Sequence, residues 1–516
     1  MPYRISPQAW SQLHHFASFP QTGISLRQMV QFGRNPNPGT ILQAGTFLAE
    51  ELPIRLAHRV KELDELPNGL NKMPSIVRVK DWYAQSFEEL VTFPKPRLPK
   101  SIAAKFPSNP SSAPSTSASD PNGSGGGEGS GSNGKMIMDR TTTTNPVFDE
   151  MASMEDGAEE GEVAGRGASC ATVSANGGNG SWTKKRVPLA NRYYANLSGI
   201  EWPPEVIDYN EQFTRCLEKI KKRHDAVVTT VAQGVLEYKR AREGENIQAD
   251  VQRFLDRFYL SRIGIRILIG QHIALARTSP STPTTLDGDP LGDSSPGTAK
   301  AGTGGHEDPE QEQYVGIICT NTNVGAMAHE AIENARFVCE EHYGLFKGPP
   351  VQLVCPRNLT FMYVPSHLNH MLFELLKNSL RAVVERYGVE NEESFPPIKV
   401  VVVEGKEDIT IKISDEGGGI PRSEMNLVWT YMYTTAQSED LDPDFNASDF
   451  KAPMAGFGYG LPLARLYARY FGGDLKLISM WVRARWRQAG RVYELTISSR
   501  PSFPRLTGRD TGLTAT

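Results

Sequence analysis

The chain has few cysteines and no long apolar run, and each absence excludes a class of protein. Among its 516 residues are five scattered cysteines without a Cys-x-x-Cys pair, so the sequence indicates neither a zinc site nor a disulfide framework and fits a reducing compartment. No apolar run approaches the roughly 18 residues of a membrane helix, and we expect a soluble protein with no membrane partner. The formal net charge of −4 gives no basic surface for nucleic acid, which is therefore not an expected partner.

Acidic residues are missing from the start of the chain. Arg4, Arg27 and Arg34 precede the first acidic residue, Glu50, as in an acid-poor transit segment. Helical patterning begins almost at once, however, and leaves little room for a cleaved presequence. We therefore treat 1–22 as an N-terminal segment that could include part of a targeting sequence.

Large apolar residues are scarce in two internal stretches. Residues 107–185 and 278–313 are rich in Ser, Gly, Pro and Thr, a composition that cannot offset the entropy lost on ordering, and we predict disorder for the first and a low-complexity loop for the second. The rest of 23–277 has helical periodicity, in segments that include Thr46–Leu66, Tyr209–Ala241 and Asn246–Ala276.

The second half of the chain mixes helices with strands. A helix over Asn323–Tyr343 precedes two short strand-like segments, and a second helix covers 366–387. The segments IKVVVVEG and DITIKIS follow as a strand pair, and a helix opened by glycines comes after them. We predict a helical domain over 23–277, an α/β domain over 314–500, and a tail over 501–516.

A polar stripe lies along the helix SHLNHMLFELLKNSLRAVVE. His370, Glu374, Lys377, Asn378 and Arg381 fall on one face at 100° per residue. Such a stripe suits Mg-phosphate chemistry, because an amide oxygen can bind Mg²⁺, cations can bind phosphate, and a carboxylate can take a proton from a hydroxyl. The alternative is an ordinary amphipathic helix with a solvated polar face.

Two glycine-rich segments follow. Asp415 ends an alternating strand and precedes three glycines, so its carboxylate could accept a hydrogen bond from an adenine amino group while backbone approaches the ligand; a plain turn is the alternative. Gly456, Gly458 and Gly460 then open a helix, whose first N–H groups suit phosphate. Their spacing has neither the lysine of a Walker loop nor the glycine pattern of a Rossmann unit.

The three segments, in this order, resemble the asparagine box and the two glycine boxes of the GHKL ATPase superfamily. A closer resemblance is to the mitochondrial pyruvate dehydrogenase kinase family. It rests on HMLFELLKNSLRAVVE, ISDEGGGIP, YMYTTA and GFGYGLPLARLYARYFGGDLKL, and in the helical half on RHDAVVTTVAQGVLEYK and FLDRFYLSRIGIRILIGQH. One departure is the segment WVRARWRQAGRVYELTIS, which lacks a threonine that the family uses to hold the nucleotide.

The resemblance implies a fold and an activity. The fold is α + α/β, with an N-terminal four-helix-bundle-like domain and a C-terminal GHKL (Bergerat) α/β sandwich. The activity is Mg-ATP-dependent phosphorylation of serine on the E1 alpha subunit of the pyruvate dehydrogenase complex, which inactivates it. The resemblance also implies docking on the lipoyl domain of the E2 subunit, a homodimer, and location in the mitochondrial matrix.

Roles for individual residues follow from the same resemblance. Glu374 is the general base, His370 its neighbour, Asn378 the Mg²⁺ ligand and Asp415 the residue that binds adenine. The polar segment YMYTTAQSEDLDPDFNASDFKAPM between the two glycine boxes is the implied ATP lid, with Thr434 and Thr435 at its edge. The implied ATP site comprises Glu374, Leu375, Leu376, Lys377, Asn378, Ser379, Leu380, Arg381, Asp415, Gly417, Gly419, Thr434, Thr435, Gly456, Phe457, Gly458, Tyr459, Gly460 and Leu461. A pocket for a small carboxylate effector is implied at Tyr83, Ser86, His224, Ser261, Arg262 and Arg266.

Three other interpretations stay open. A branched-chain ketoacid dehydrogenase kinase would use the same mechanism on another substrate. A sensor-type histidine kinase is suggested by His224-Asp225, although no transmembrane or receiver segment accompanies that pair. A catalytically inactive scaffold that binds E2 is the third, and the presence of both Glu374 and Asn378 argues against it.

Overall fold

The computed structural model describes residues 5–96, 202–242, 249–278, 313–433, 458–480 and 490–498. All of these except Pro96 belong to one compact unit, formed by Met1–Lys95 with Trp202–Thr516. The insertion at 107–185, nearly all of the loop at 278–313 and the tail at 501–516 lie outside the described residues, so the predictions made for them stay predictions.

The regular elements described in the first half are all helical. The α-helices are α1 Pro7–Phe16, α2 Leu26–Gly33, α3 Pro38–Asp64, α4 Pro74–Val91, α5 Pro204–Arg223, α6 Val227–Ala241 and α7 Ala249–Thr278. Side-chain oxygens cap the first three: Ser6 begins α1, Ser25 forms a capping box with Gln28 at α2, and Asn37 begins α3. The longer helices α3, α4, α5 with α6, and α7 pack on one another, which confirms the predicted bundle-like half.

One predicted helix is divided in the structure. The periodic stretch Tyr209–Ala241 becomes α5 and α6, with a break at His224–Ala226. Arg262 on α7 donates to the backbone carbonyls of His224 and Asp225, at 3.3 Å each. The break is therefore stabilised by a residue distant in sequence, which local periodicity cannot reveal.

The second half is built on a five-stranded sheet. Its strands are β3 Val351–Val354, β5 Ile398–Glu404, β6 Asp408–Asp415, β7 Asp474–Met480 and β8 Gly490–Ser498, in the order β3-β5-β6-β8-β7. Only β3 and β5 pair in parallel. A smaller antiparallel sheet joins β1 Tyr314–Val315, β2 Ile318–Asn323 and β4 Thr360–Tyr363.

Three helices cover one face of the larger sheet. They are α8 Val324–Tyr343, α9 Pro365–Tyr387 and α10 Gly460–Tyr470. The alternating Ile409, Ile411 and Ile413 of β6 are buried on that face, where α9 packs against β6. The predicted α/β sandwich is thus confirmed, and its core is continuous with the bundle because α7 packs against α10.

Candidate active site

The polar stripe of α9 lines a cavity of about 180 Å³. Glu374, Lys377, Asn378 and Arg381 all reach it, together with the start of α10 and the first residues of β8. The leucines of α9 are buried in the core instead. Three of the leucines that the resemblance placed in the ATP site therefore lie behind the cavity wall and do not line it: Leu375, Leu376 and Leu380.

Glu374 and Lys377 form a buried ion pair in the cavity wall. The Lys377 ammonium lies 2.9 Å from Oε1 of Glu374, and the two residues are 2% and 7% exposed. Burial raises the pKa of Glu374, but the charges of Lys377 and His370 and the hydrogen bond from Lys377 outweigh burial and leave that pKa below its usual range. The Glu374 side chain is therefore an ionised carboxylate at neutral pH.

The second oxygen of Glu374 faces the beginning of α10. A Cβ at Gly460 would lie 2.1 Å from Oε2, so no larger residue fits there while the carboxylate stays in place. The glycine brings the first turn of α10, with its N–H groups, against the carboxylate. A buried base and a helix N-terminus thus share one corner of the cavity.

His370 lies beside this corner. Its ring meets Tyr467 of α10 edge to face, with the ring centroids 5.1 Å apart, and its charge contributes to the low pKa of Glu374. The structure therefore places His370 next to Glu374, as the helical spacing predicts. Arg381, expected to face phosphate, instead donates to Oε1 of Glu385 at 2.7 Å while lining the cavity.

Asp415 ends β6 behind the cavity wall: its register partner Arg491 lines the cavity, whereas the predicted ATP-site residues Asp415, Gly417 and Ser379 do not. Its Oδ1 accepts the backbone N–H groups of Gly417, at 2.9 Å, and Arg491, at 3.2 Å. Burial raises the pKa of Asp415, and the Arg491 charge opposes that rise. Ser379 of α9 lies close to the carboxylate, and Gly419 lines the cavity.

The glycine loop and the lid are described only in part. Gly458, with φ of 77°, Gly460 and Leu461 line the cavity, whereas Tyr459 is buried and packs on Tyr259 and Tyr431. Four predicted ATP-site residues lie outside the described residues, so the structure says nothing of them: Thr434, Thr435, Gly456 and Phe457.

Sequence reasoning missed Arg491 and Tyr493, which line the cavity from β8. Gly490 begins that strand, and a Cβ there would lie 1.8 Å from the carbonyl oxygen of Asp415. Gly490 therefore permits the close approach that places Arg491 opposite Asp415 in the β6–β8 register. The segment that precedes Gly490 has no family-like threonine, so it gave no signal for a site residue.

A second polar cluster lies in the bundle. The Tyr83 ring stacks on His224 with centroids 4.4 Å apart, and Ser86 Oγ lies 3.0 Å from His224 Nε2. Burial, followed by the Arg262 charge, lowers the pKa of His224 to about 3. His224 is therefore neutral at physiological pH.

The cations of this cluster tie α7 to the turn between α5 and α6. Arg262 donates to two carbonyls there, and Arg266 forms a 2.7 Å ion pair with Asp225. Ser261 is also buried at this place. The sequence missed Arg223, which donates to Ser86 Oγ at 2.7 Å.

Neither a metal cluster nor a membrane span occurs in the parts of the chain that the structure describes. No group of three or more His, Cys, Asp or Glu side chains that could hold a metal ion occurs within them, and none of their helices is long and apolar enough to cross a membrane.

Two family models match the chain. The model for mitochondrial branched-chain alpha-ketoacid dehydrogenase kinase covers residues 23–319. The model for histidine kinase-, DNA gyrase B- and HSP90-like ATPases covers residues 363–501. The first match contains the described helical bundle, and the second contains the α9 stripe, Asp415 and the glycine loop.

Several whole proteins are similar over most of their length. A mitochondrial pyruvate dehydrogenase (acetyl-transferring) kinase of Schizosaccharomyces pombe is 40% identical over 470 residues, which cover 90% of this chain and 91% of that protein. The protein of the same name from Arabidopsis thaliana is 33% identical, covering 91% and 89%. The human isozyme 3 is 31% identical, covering 91% and 82%.

Proposed function

The chain belongs to the family of mitochondrial pyruvate dehydrogenase kinases, and from that premise we propose that it transfers the γ-phosphate of ATP to serine on the E1 alpha subunit of the pyruvate dehydrogenase complex. The observation that carries this proposal is the buried, ionised Glu374 in the wall of a cavity that a glycine-opened helix also lines. We further propose that phosphorylation inactivates the complex.

Glu374 acts as the general base in this proposal. A serine hydroxyl is a weak nucleophile near neutral pH and gains from a carboxylate that accepts its proton as the phosphoryl group is transferred. Lys377 keeps Glu374 ionised, and His370 borders the same corner. Gly460 and Leu461, at the start of α10, line the cavity, and the N–H groups at a helix start suit phosphate oxygens.

Asn378 is the residue proposed to hold Mg²⁺. It lines the cavity one residue from Lys377, and an amide oxygen beside nucleotide phosphates fits the oxygen ligands that Mg²⁺ prefers. The cation would neutralise charge on the phosphates. Asn378→Ala should weaken ATP binding when Mg²⁺ is present and change it little in EDTA; equal effects under both conditions would contradict this assignment.

Two rival activities are less well supported. A histidine kinase would need an accessible acceptor, but His224 is only 2% exposed and is held between Tyr83 and Ser86. An inactive scaffold would not require an ionised base in a cavity. A branched-chain ketoacid dehydrogenase kinase would have the same site chemistry, so only the substrate distinguishes it.

We also propose a homodimer formed through the open face of the larger sheet. Apolar side chains at both ends of that face are exposed: Val354 and Val403 at one end, and Ile478 and Met480 at the other. The pair Lys412–Glu494, 3.0 Å apart, lies between them. Sedimentation of the wild-type chain should give a dimer that Ile478→Asp weakens, and a monomer in both would contradict the proposal.

The remaining proposals concern the compartment in which the chain works and the domain on which it docks. We propose that the chain works in the mitochondrial matrix, where it docks on the lipoyl domain of E2 through its helical half. Its relatives are named mitochondrial. Fractionation that leaves the protein outside the matrix, or a pull-down in which an isolated lipoyl domain fails to retain it, would contradict these proposals.

The substrate can be tested directly. The purified chain with Mg-ATP should inactivate the pyruvate dehydrogenase complex and label its E1 alpha subunit, and it should leave the branched-chain ketoacid dehydrogenase complex active. A chain without ATP is the control. Inactivation of the branched-chain complex alone would make that complex the substrate, and inactivation of neither complex would refute the proposed kinase activity.

A further inference from the structure

The corner of the cavity formed by β6, β8 and α9 contains polar atoms that the fold leaves unused. Arg491 lies directly opposite Asp415 in the strand register, and Tyr493 follows on the same face, opposite Ile413. Both Arg491 and Tyr493 line the cavity that Glu374 lines from its other side. The β8 side of the corner therefore lines the cavity, whereas Asp415 and Ser379 are buried behind it.

Four buried atoms in this corner make no well-aligned hydrogen bond among the residues described, although Ser379 lies close enough to Asp415, and Tyr493 to Arg491, for each pair to interact. They are Asp415 Oδ2, Ser379 Oγ, Arg491 Nε and Tyr493 Oη. Buried polar atoms are normally paired, and here four come from three different elements. Such a concentration indicates a polar ligand that supplies the missing partners.

The charges in the corner are close but do not neutralise each other by direct contact. The Arg491 backbone N–H, and not its guanidinium, donates to Oδ1 of Asp415. The guanidinium charge still opposes the burial that raises the pKa of Asp415. The carboxylate of Asp415 and the guanidinium of Arg491 therefore lie side by side, and each has one atom, Oδ2 and Nε, that makes no well-aligned hydrogen bond.

We propose that Arg491 reads the base of the bound nucleotide by donating an N–H to a ring nitrogen of adenine, while Asp415 Oδ2 accepts the adjacent amino group. Adenine presents an amino donor flanked by acceptor ring nitrogens, which matches a carboxylate beside a guanidinium. This inference rests on the nucleotide site proposed above and names a specificity-determining residue within it.

The test combines a side-chain change with an atom change in the ligand. Calorimetry would measure the Kd of Mg-ADP, 1-deaza-ADP and 7-deaza-ADP for the wild type, Arg491→Met and the control Arg277→Met, whose arginine is exposed and pairs with Glu218. Arg491→Met should weaken ADP binding about tenfold or more, the effect of losing a hydrogen bond to a charged donor. With the deaza nucleotide that lacks the ring nitrogen read by Arg491, the same substitution should have little effect.

The outcomes separate the inference from the nucleotide site itself. Equal weakening of all three nucleotides by Arg491→Met would show that Arg491 only shapes the pocket and would overturn the inference. A wild type that binds no ADP would instead refute the nucleotide site. If Arg491→Met lowers the melting temperature of the ligand-free protein, Arg491→Lys gives the same comparison, because it moves the donor while keeping the charge.

Discussion

At the residue scale, the charge state of Glu374 decides the chemistry. Lys377 holds the carboxylate ionised, and the carboxylate in turn neutralises a lysine that is 2% exposed. A substitution that removes the carboxylate outright would leave a buried ammonium without its partner, which is strongly destabilising. The informative variant is therefore one that keeps an oxygen acceptor for Lys377.

Glu374→Gln should lower the rate of phosphate transfer by roughly 10²–10⁴-fold, because the amide cannot accept the serine proton. ADP affinity should change little, since a base acts in the transition state and not in nucleotide binding. Single-turnover kinetics and calorimetry measure the two quantities. Glu218→Gln, at a partly exposed carboxylate of α5 that pairs with Arg277 away from the cavity, is the matched control; near-normal turnover of Glu374→Gln would assign the base elsewhere.

His272 gives the fold a defined sensitivity to acid. Burial lowers the pKa of His272 to about 4, below the usual 6.5. At pH 7.5 the ring is neutral whether the chain is folded or unfolded. As the pH falls below 6.5, His272 becomes protonated in the unfolded state while it stays neutral in the folded state. The free energy of unfolding therefore decreases between pH 6.5 and about 4, and the decrease is about 2 kcal/mol at pH 5.

The variant His272→Gln should not show the part of the stability loss in acid that is due to His272. Urea unfolding at pH 7.5 and pH 5.0 would give the change in the free energy of unfolding for wild type and variant. The change should be about 2 kcal/mol smaller in the variant. An unchanged pH dependence would show that His272 takes up its proton in the folded protein.

At the scale of elements, α7 holds Tyr431, the residue at which the predicted lid begins. The Tyr431 backbone N–H donates to Gln252 Oε1 at 2.9 Å, and its hydroxyl donates to Asp256 Oδ1 at 2.7 Å. Its ring packs on Tyr259 of the same helix and on Tyr459 of the glycine loop. One helix of the bundle thus supports both described edges of the predicted lid.

Tyr431→Phe should reduce the free energy of unfolding by about 1–3 kcal/mol, because it leaves the carboxylate of Asp256 without its phenol donor. Burial already raises the pKa of Asp256, so the loss should be smaller at pH 5 than at pH 8. Urea unfolding measures it, with Tyr314→Phe, at a half-exposed tyrosine, as control. A variant as stable as the wild type would show that the Tyr431–Asp256 bond contributes nothing.

The sequence predicts the elements better than their junctions. The periodicity of α9 and the alternation of β6 follow local patterns, and both elements were predicted with the faces that the structure buries. The break at His224 and the pairing of Glu374 with Lys377 depend on tertiary contacts and on burial. Arg491 lies in the site only because Gly490 brings β8 against β6, a contact that strand patterning does not encode.

At the scale of the whole molecule, α7 links the two polar clusters. Gln252 and Asp256 contact Tyr431, where the predicted lid begins, and Arg262 lies further along the same helix in the bundle cluster. Three buried atoms of that cluster have no partner within the described part of the chain: Tyr83 Oη, Ser261 Oγ and Arg262 Nε. Since His224 is neutral there, the cations are arginines, which suit a small carboxylate.

Dichloroacetate should therefore bind at millimolar concentration or below in the presence of ADP and inhibit the kinase. Arg262→Met should abolish the heat of binding, whereas Arg253→Met, at an exposed arginine of the same helix, should preserve it. Calorimetry with both variants decides the matter. Absence of binding to the wild type would leave these arginines as structural ties between α7 and the α5–α6 turn.

The most direct test of the central claim follows the label from γ-phosphate-labelled ATP in a mixture of this chain and the pyruvate dehydrogenase complex. The label should appear on the E1 alpha subunit, survive acid as phosphoserine does, persist with His224→Gln and vanish with Glu374→Gln. Acid-labile label on this chain itself, lost in His224→Gln, would contradict the account and identify a histidine kinase.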